Sequence, residues 1–505
     1  MTTSNHDLFA AIDLGSNSFH MLVVRQVAGT VQTVAKIKRK VRLAAGLDDN
    51  LVLSAEAMER GFDCLKLFAE RLQFIPTANV RIVATATIRL ANNGPDFIAQ
   101  AEQITGNQIE VISGEQEAHF VYQGAAYTSA GSDQRLVIDI GGASTELIIG
   151  QGVDIHQAVS LDMGCVRFTE QYFADGLFNQ LSFTAAVNEA KQIVAPLVEN
   201  YQYIGWHQAL GASGTLRAIQ EVLLANGYDD VITLDLLHQL QQRVVSARKL
   251  SLLTIDGLKE ERKPVFAGGL AILTGLFEEL AISNLRISGG ALREGLVYGM
   301  LNVTAGDDVR KRTLSNLAKK YHLDKQHGEQ CRQAALALCE QFEQHWPITE
   351  DGKAMLACAA QLHEIGFTIG FVNGHQHGAY ILSHTNQPGF STSQQVLVAT
   401  LLGASKGHIT TATFSQLQGY DSEQVAALAR ILRWAMILTS HRSNRLLLPE
   451  RIECDGHSVQ WQMPQGWQKQ HPLTAANLAE ESHFQTDAGL PFQLIEAKVS
   501  EPSEA

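Results

Sequence analysis

Two short stretches of this 505-residue chain carry the same chemical groups in the same order. Leu136 to Gly150 reads Leu-Val-Ile-Asp139-Ile-Gly141-Gly142-Ala143-Ser144-Thr145-Glu146-Leu-Ile-Ile-Gly150, two apolar runs around a small polar turn. Phe9 to Asn17 reads Phe-Ala-Ala-Ile-Asp13-Leu-Gly15-Ser16-Asn17, and Ser18 to Val24 returns as an apolar run. At such a turn the backbone N–H groups and the hydroxyls of Ser144 and Thr145 can face a phosphate. Asp139 and Glu146 flank it as oxygen ligands for a hard cation. Taken alone, either segment reads equally as a plain hairpin. A third stretch, Gly211-Ala-Ser213-Gly214-Thr215, again joins glycines to hydroxyls where an apolar run passes into a helical pattern.

The elements that hold these turns follow from periodicity. Residues 136–140 have the length and β-branching of a buried strand, 147–149 return from it, and Gly141 and Gly142 permit the reversal. The repeat of strand, Asp-x-Gly, turn and strand predicts two related halves, each offering a loop to a shared cleft. Val80 to Ala84 is a strand whose carboxyl end leads to Arg89, the position where ligands gather in α/β sheets. Ile109 to Ile112 is another strand, and Ser113 opens a helix bearing Glu115 and Glu117, where acidic residues also simply complement the helix dipole. Further helices are expected from Ser54 to Pro76, from Met163 to Arg167, where free N–H groups would favour an anion, over 185–198, and over 258–280. Along 31–43, Lys36, Lys38, Lys40 and Arg42 share one parity, so a strand there presents a basic face, either to a polyanion or to solvent. Arg293 opens the helix after Ser288-Gly-Gly, placed to meet an anionic or guanine-bearing ligand or to lie on the helix surface.

Five segments fall in order across the first three fifths of the chain: Asp13-Leu-Gly-Ser-Asn-Ser-Phe-His20, Ile112-Ser-Gly-Glu-Gln-Glu-Ala118, Asp139-Ile-Gly-Gly-Ala-Ser-Thr-Glu146, Gly211-Ala-Ser-Gly-Thr215 and Gly290-Ala-Leu-Arg-Glu-Gly295. In them the sequence resembles the actin-like ATPase and phosphotransferase superfamily and, more closely, the exopolyphosphatase and guanosine pentaphosphate phosphatase family. That resemblance implies an α/β fold of two actin-like (ribonuclease H-like) domains with a mainly helical HD-like C-terminal domain. It implies Mg²⁺ held near Asp139 and Glu146 with Asp13, and phosphate held around Gly15 to Asn17, at Gly141 to Thr145 and by Arg89. The third loop, Gly211 with Ser213, Gly214 and Thr215, is similar to a nucleotide-contacting segment of actin-like proteins. Glu117 matches the family's general base. The family has two successive glutamates where this chain has Gln116-Glu117, so Gln116 cannot act as one. Residues 13–24, 36–47 and Gly289-Gly290 look closest to the guanosine pentaphosphate branch. The expected reaction is removal of its 5′-terminal phosphate, with release of terminal phosphate from polyphosphate as the alternative. A sugar kinase sharing the phosphate loops and a non-catalytic alarmone sensor are the rivals from other classes.

Composition sets the bounds. A formal net charge of −13 argues against a nucleic-acid coat, so an anionic substrate needs a locally basic cleft or a metal ion. Six cysteines without a C-x-x-C pair suit reduced thiols, and no apolar run reaches membrane-spanning length, so a cytoplasmic protein without nucleic-acid or membrane partners is expected. A homodimer lining a shared channel would suit a long polyanion. The length implies about three domains, read as 1–125, 126–305 and 306–445, with a small α+β extension over 446–505 and a boundary near Thr304 to Asp308. In the helical part His363-Glu364, His375, His377 and His384 resemble the metal sites of HD-type phosphohydrolases with Glu in place of Asp; a helical domain without catalysis is expected there.

Overall fold

A computed structural model of the chain describes residues 8–27, 30–130, 133–301, 308–417, 419–443 and 448–496. The expected boundary residues 304–307 and the charged tail beyond 496 lie outside the described residues. The chain divides into two units, Met1–Arg310 and Lys311–Ala505.

The first unit is built from two sheets of one topology. Strands β1 (Leu8–Leu14), β2 (Ser18–Val27), β3 (Thr30–Lys40), β4 (Val80–Ala84) and β5 (Ile109–Val111) lie in the order β3-β2-β1-β4-β5. Strands β6 (Gln134–Ile140), β7 (Thr145–Gln151), β8 (Asp154–Leu161), β9 (Gln208–Gly211) and β10 (Arg286–Ile287) lie in the order β10-β9-β6-β7-β8. In each sheet the first three strands form an antiparallel meander and the last two add in parallel to the first. The duplication expected from the two Asp-x-Gly segments is therefore a duplication of the whole sheet, and the fold is the actin-like one.

Helices α1 (Ala55–Leu72), α2 (Ala86–Leu90), α3 (Gly94–Thr105) and α4 (Gly114–Thr128) accompany the first sheet. With the second run α5 (Cys165–Tyr172), α6 (Gln180–Val194), α7 (Val198–Ile204), α8 (Gly214–Ala225), α9 (Leu234–Ala247), α10 (Lys263–Leu280) and α11 (Leu292–Met300). Ser54 caps α1, accepting from the Ala57 N–H at 3.3 Å. The helix expected over 185–198 is instead split, with Pro196 in a short 3₁₀ turn between α6 and α7. The apolar stripe from 258 becomes helical only at Lys263, and Pro264 stands in the first turn of α10.

Strand alternation distributes the core between opposite faces. Ala10, Ile12 and Leu14 pack with Phe62, Phe68 and Phe97, while Leu136, Ile138 and Ile140 pack against α10. The alternate residues Ala11, Val137 and Ile148 join a cluster that ties both sheets together through Tyr122 of α4 and Leu292 and Leu296 of α11. Those two helices meet backbone to backbone: a Cβ on Gly295 would lie 1.9 Å from the Phe120 carbonyl oxygen, and one on Gly124 would lie 2.0 Å from that of Ala291. This contact fixes the first turns of α4 and α11, which carry Glu117 and Arg293.

The second unit begins within α12 (Val309–Lys320). It continues through α13 (Lys325–Phe342), α14 (Glu350–Leu362), α15 (Gly374–His384), α16 (Thr392–Gly403) and α17 (Ser422–Thr439). Its small sheet has β11 (Arg451–Cys454), β12 (Val459–Met463) and β13 (Phe492–Glu496) in that order, with α18 (Trp467–Gln470) and α19 (Pro472–Asp487) between the last two strands. Trp461 and Phe492 of this sheet pack on Trp434 of α17 at ring separations of 4.8 and 5.0 Å, so sheet and helices share one core. Beneath it, Arg433 and Glu481 form a bidentate ion pair at 2.6 and 2.7 Å, buried on both sides. The six cysteines are unpaired, and among the described residues no helix is long and apolar enough to cross a membrane.

Candidate active site

The two hairpin turns stand face to face. A Cβ placed on Gly142 would lie 3.4 Å from the Cβ of Ser16 and 3.9 Å from that of Asn17. The first turn is anchored by its carbonyls: Asn17 accepts from the Val41 and Arg42 N–H groups, and Ser16 from that of Ala44. Among the described hydrogen bonds, the N–H groups of Ser16, Asn17, Gly142 and Ala143 have no partner in the chain. Backbone N–H groups left open in this way at a turn can receive an anion.

Four carboxylates converge beside the turns. Asp13 ends β1, Asp139 pairs with Glu146 in register across β6 and β7, and Glu117 sits in the first turn of α4. Burial raises all four pKa values. Asp13 rises to about 6, with Arg293 opposing the shift. Asp139 is raised by burial and by Glu146 and Asp13, while Glu146 is raised by burial against hydrogen bonds from Ser144 and Ser160. Glu117 is raised by burial, then by Glu146 and Asp13, with Arg89 opposing. Asp13 Oδ1 and Glu117 Oε2 are buried without a hydrogen-bond partner. Crowded carboxylates with orphaned oxygens and no soft donor among them suit a hard divalent cation, which would relieve their mutual repulsion. The residues therefore fit Mg²⁺.

Cations frame this acidic centre. Arg89 donates from Nη1 to the Ile112 carbonyl at 2.6 Å, and the same nitrogen lies 3.5 Å from Glu117 Oε2. Its guanidinium is thus fixed beside the base candidate. Arg293 acts electrostatically on Asp13, Asp139 and His20. Arg262, from the loop before α10, lies over the N-terminus of α8, where a Cβ on Gly214 would meet its Nη2 at 2.1 Å. The Lys38 ammonium lies 3.4 Å from Glu261 Oε1, and that of Lys40 3.2 Å from the Glu261 carbonyl oxygen, so the basic face of β3 turns toward the same loop. Burial, Arg293, Lys38 and Arg262 hold His20 down to about 3, leaving a neutral imidazole whose buried Nε2 has no partner.

Several expected contacts are arranged otherwise. The N–H groups of Cys165 and Val166, at the start of α5, donate to the carbonyls of Gly141 and Gly142 at 2.9 Å, so they lock the second turn and are not free for an anion. A Cβ on Gly164 would lie 2.3 Å from the Gly142 oxygen, which is why glycine stands there. Thr145 Oγ1 donates to the Met163 carbonyl at 2.5 Å and Thr215 Oγ1 to that of Ile140 at 2.9 Å; both hydroxyl protons are committed inside the protein. Gly211 faces Leu216, Leu285 and Ile287, Ser213 caps α8, and Gly214 is half-buried under Arg262. Gln116 completes a capping box with Ser113, a structural use of the position where the resemblance leads to a second glutamate. Arg42 lies beyond the end of β3 with φ of 52° and does not extend the basic strand row.

Sequence reasoning missed Ser160, whose hydroxyl donates to Glu146 Oε1 at 2.8 Å from the neighbouring strand; only strand register could have found it. It also missed Arg262. In the second unit, His363 and Glu364 are brought together with His327 of α13, while His375, His377 and His384 on α15 are not part of that group.

Comparison with known proteins agrees with this architecture. A family model described as Ppx/GppA phosphatase family matches residues 22–304, and one described as Ppx/GppA phosphatase, domain III, matches 309–482. Among solved structures, an exopolyphosphatase from Cytophaga hutchinsonii is similar at 24% identity and TM-score 0.53, covering 59% of this chain and 100% of that one. An exopolyphosphatase-like protein is similar at 24% identity and TM-score 0.52, with the same coverage. At these identities both bear on the fold, over about three fifths of the chain.

Proposed function

The chain belongs to the Ppx/GppA phosphatase family, and on that premise we propose that it hydrolyses a terminal phosphoanhydride, removing the 5′-terminal phosphate of guanosine pentaphosphate to leave guanosine tetraphosphate. The observation that carries the reading is the convergence of the Glu117 carboxylate, whose Oε2 makes no hydrogen bond and faces the Arg89 guanidinium at 3.5 Å, with two opposed turns whose N–H groups are free.

In this reading the amides of Ser16, Asn17, Gly142 and Ala143 hold the terminal phosphate oxygens, and Arg89 adds charge where negative charge accumulates in the transition state. Glu117 orients a water molecule in line with the scissile bond and takes its proton. The elevated pKa of Glu117 suits that role, since a base working near neutral pH needs a pKa not far below it. Asp13, Asp139 and Glu146 are the residues that would hold Mg²⁺, which when bound neutralises phosphate charge. Ser160 keeps Glu146 in its rotamer. Arg293 and Arg262 meet the rest of the substrate.

One observation favours a second reading. Lys36, Lys38 and Lys40 line one face of β3 in the otherwise acidic protein, and such a row suits a longer polyanion, as in release of terminal phosphate from polyphosphate. Phosphate release from matched guanosine pentaphosphate and long-chain polyphosphate, with Mg²⁺ present, separates the two. A higher kcat/KM on the nucleotide supports the first reading, a higher one on polyphosphate moves the substrate to the second, and no release from either refutes both.

A further inference from the structure

His327 and His363 approach one another from different helices, although 36 positions separate them in sequence. Their rings lie 4.9 Å apart at 68°, and both side chains are buried, 5% and 6% exposed. His327 belongs to the first turn of α13, fixed by the Asp324 cap, which accepts its backbone N–H at 3.1 Å. His363 ends α14, and its Nδ1 meets the Ala360 carbonyl at 2.7 Å. A carbonyl can only accept, so Nδ1 carries the proton and the lone pair is on Nε2. Ligating histidines are characteristically oriented by this kind of bond through the second ring nitrogen.

The other ring lacks partners. His327 Nδ1 is buried with no hydrogen bond, and its Nε2 lies 3.7 Å from Glu364 Oε1, beyond hydrogen-bond reach. An unpaired buried polar atom is costly and calls for an explanation. Glu364 is held by Arg442, whose guanidinium bonds Glu364 Oε1 and, at 2.9 Å, Asp324 Oδ2. These two bonds hold the carboxylate in place beside the His327 ring.

We infer that His327, His363 and Glu364 form a binding site for one divalent metal ion of the zinc class, built wholly from the second unit. Among the described residues, one ligand atom from each of the three lies within 4.8 Å of the others. Tetrahedral ligands about 2.0–2.2 Å from a zinc ion sit roughly 3.3–3.6 Å apart, so closure by up to about 1.5 Å completes the set. Two imidazoles and one carboxylate select a borderline ion such as Zn²⁺, whereas Mg²⁺ and Ca²⁺ take oxygen donors. Three protein ligands leave a fourth position open. The site is independent of the carboxylate cluster of the first unit, whose donors are all oxygens.

The test is a titration of the full chain, stripped with a chelator, with Co²⁺ and then Zn²⁺. The wild type is expected to take one Co²⁺ per chain with the intense visible bands of a low-coordinate nitrogen and oxygen site, and Zn²⁺ displaces it stoichiometrically. Oxygen-only sites of the cleft give pale spectra, so Glu146→Gln leaves the bands unchanged. His327→Ala and His363→Ala each lower Zn²⁺ affinity by at least about 100-fold, the upper end of what even an outer partner of a ligand contributes. His375→Ala, on α15, has no effect. Absence of the bands in the wild type overturns the inference whether or not the variants fold. So does an unchanged affinity in His327→Ala or in the milder His327→Asn.

Discussion

Replacing Asp13 by asparagine is expected to make the ligand-free protein more stable above pH 6, although it removes a residue proposed to hold the metal. Asp13 ends β1 beside Asp139, and its pKa is raised from the ordinary 3.8 to about 6, chiefly by burial. A carboxyl whose pKa is raised on folding contributes stability below its unfolded value, and that contribution is lost as pH climbs through the folded value. At pH 8 the shift from 3.8 to about 6 corresponds to about 3 kcal/mol of penalty at 1.36 kcal/mol per pH unit, and partial solvent access reduces this to about 1–3 kcal/mol. Asparagine keeps the shape and removes the charge. Thermal unfolding of both proteins in a chelating buffer reads the difference, as a rise of roughly 2–10 °C in the transition of the first unit at pH 8. Below pH 4 the two proteins converge. Added Mg²⁺ reverses the order at pH 8, because the wild type gains binding energy that the variant lacks. An Asp13→Asn protein less stable than wild type at pH 8 without metal would refute the claim that burial makes the ionised Asp13 a cost to the ligand-free fold.

The same electrostatics predict a pH–rate profile. Glu117 acts only when ionised, so kcat/KM rises with pH along a limb displaced above the ordinary carboxylate range, and Arg89→Gln moves that limb to higher pH because Arg89 favours the charged form. In the second unit, Glu481→Ala leaves Arg433 buried without its carboxylate and costs about 3–5 kcal/mol, read by urea denaturation; a loss below about 1 kcal/mol would contradict the pair's assigned weight.

Local patterns in the sequence foretold much of this molecule. The Asp-x-Gly turns, the Ser54 and Ser113 caps and the apolar runs of β1 and β6 are local signals, and each corresponds to a local interaction. What remained hidden depends on contacts between distant segments. Ser160 reaches Glu146 only through strand register, and Arg262 arrives over Gly214 from a loop 48 residues away. The first turn of α5 looked like an anion site until the Gly141 and Gly142 carbonyls proved to occupy its amides. In the helical unit, the resemblance to HD-type metal sites drew attention to His375 and His377 beside His363, yet the histidine brought to His363 is His327, from a helix not connected with it in the sequence. Hydroxyls were legible as residue types but not as directions, since Thr145 and Thr215 turn inward.

The central claim is that Glu117 is the base of a phosphoanhydride hydrolase. Steady-state phosphate release and substrate binding, measured side by side for the wild type and Glu117→Gln with Mg²⁺, test it most directly. For Glu117→Gln, kcat is expected to fall by about 10²–10⁴ with substrate affinity nearly unchanged. Turnover within a few-fold of wild type would contradict it.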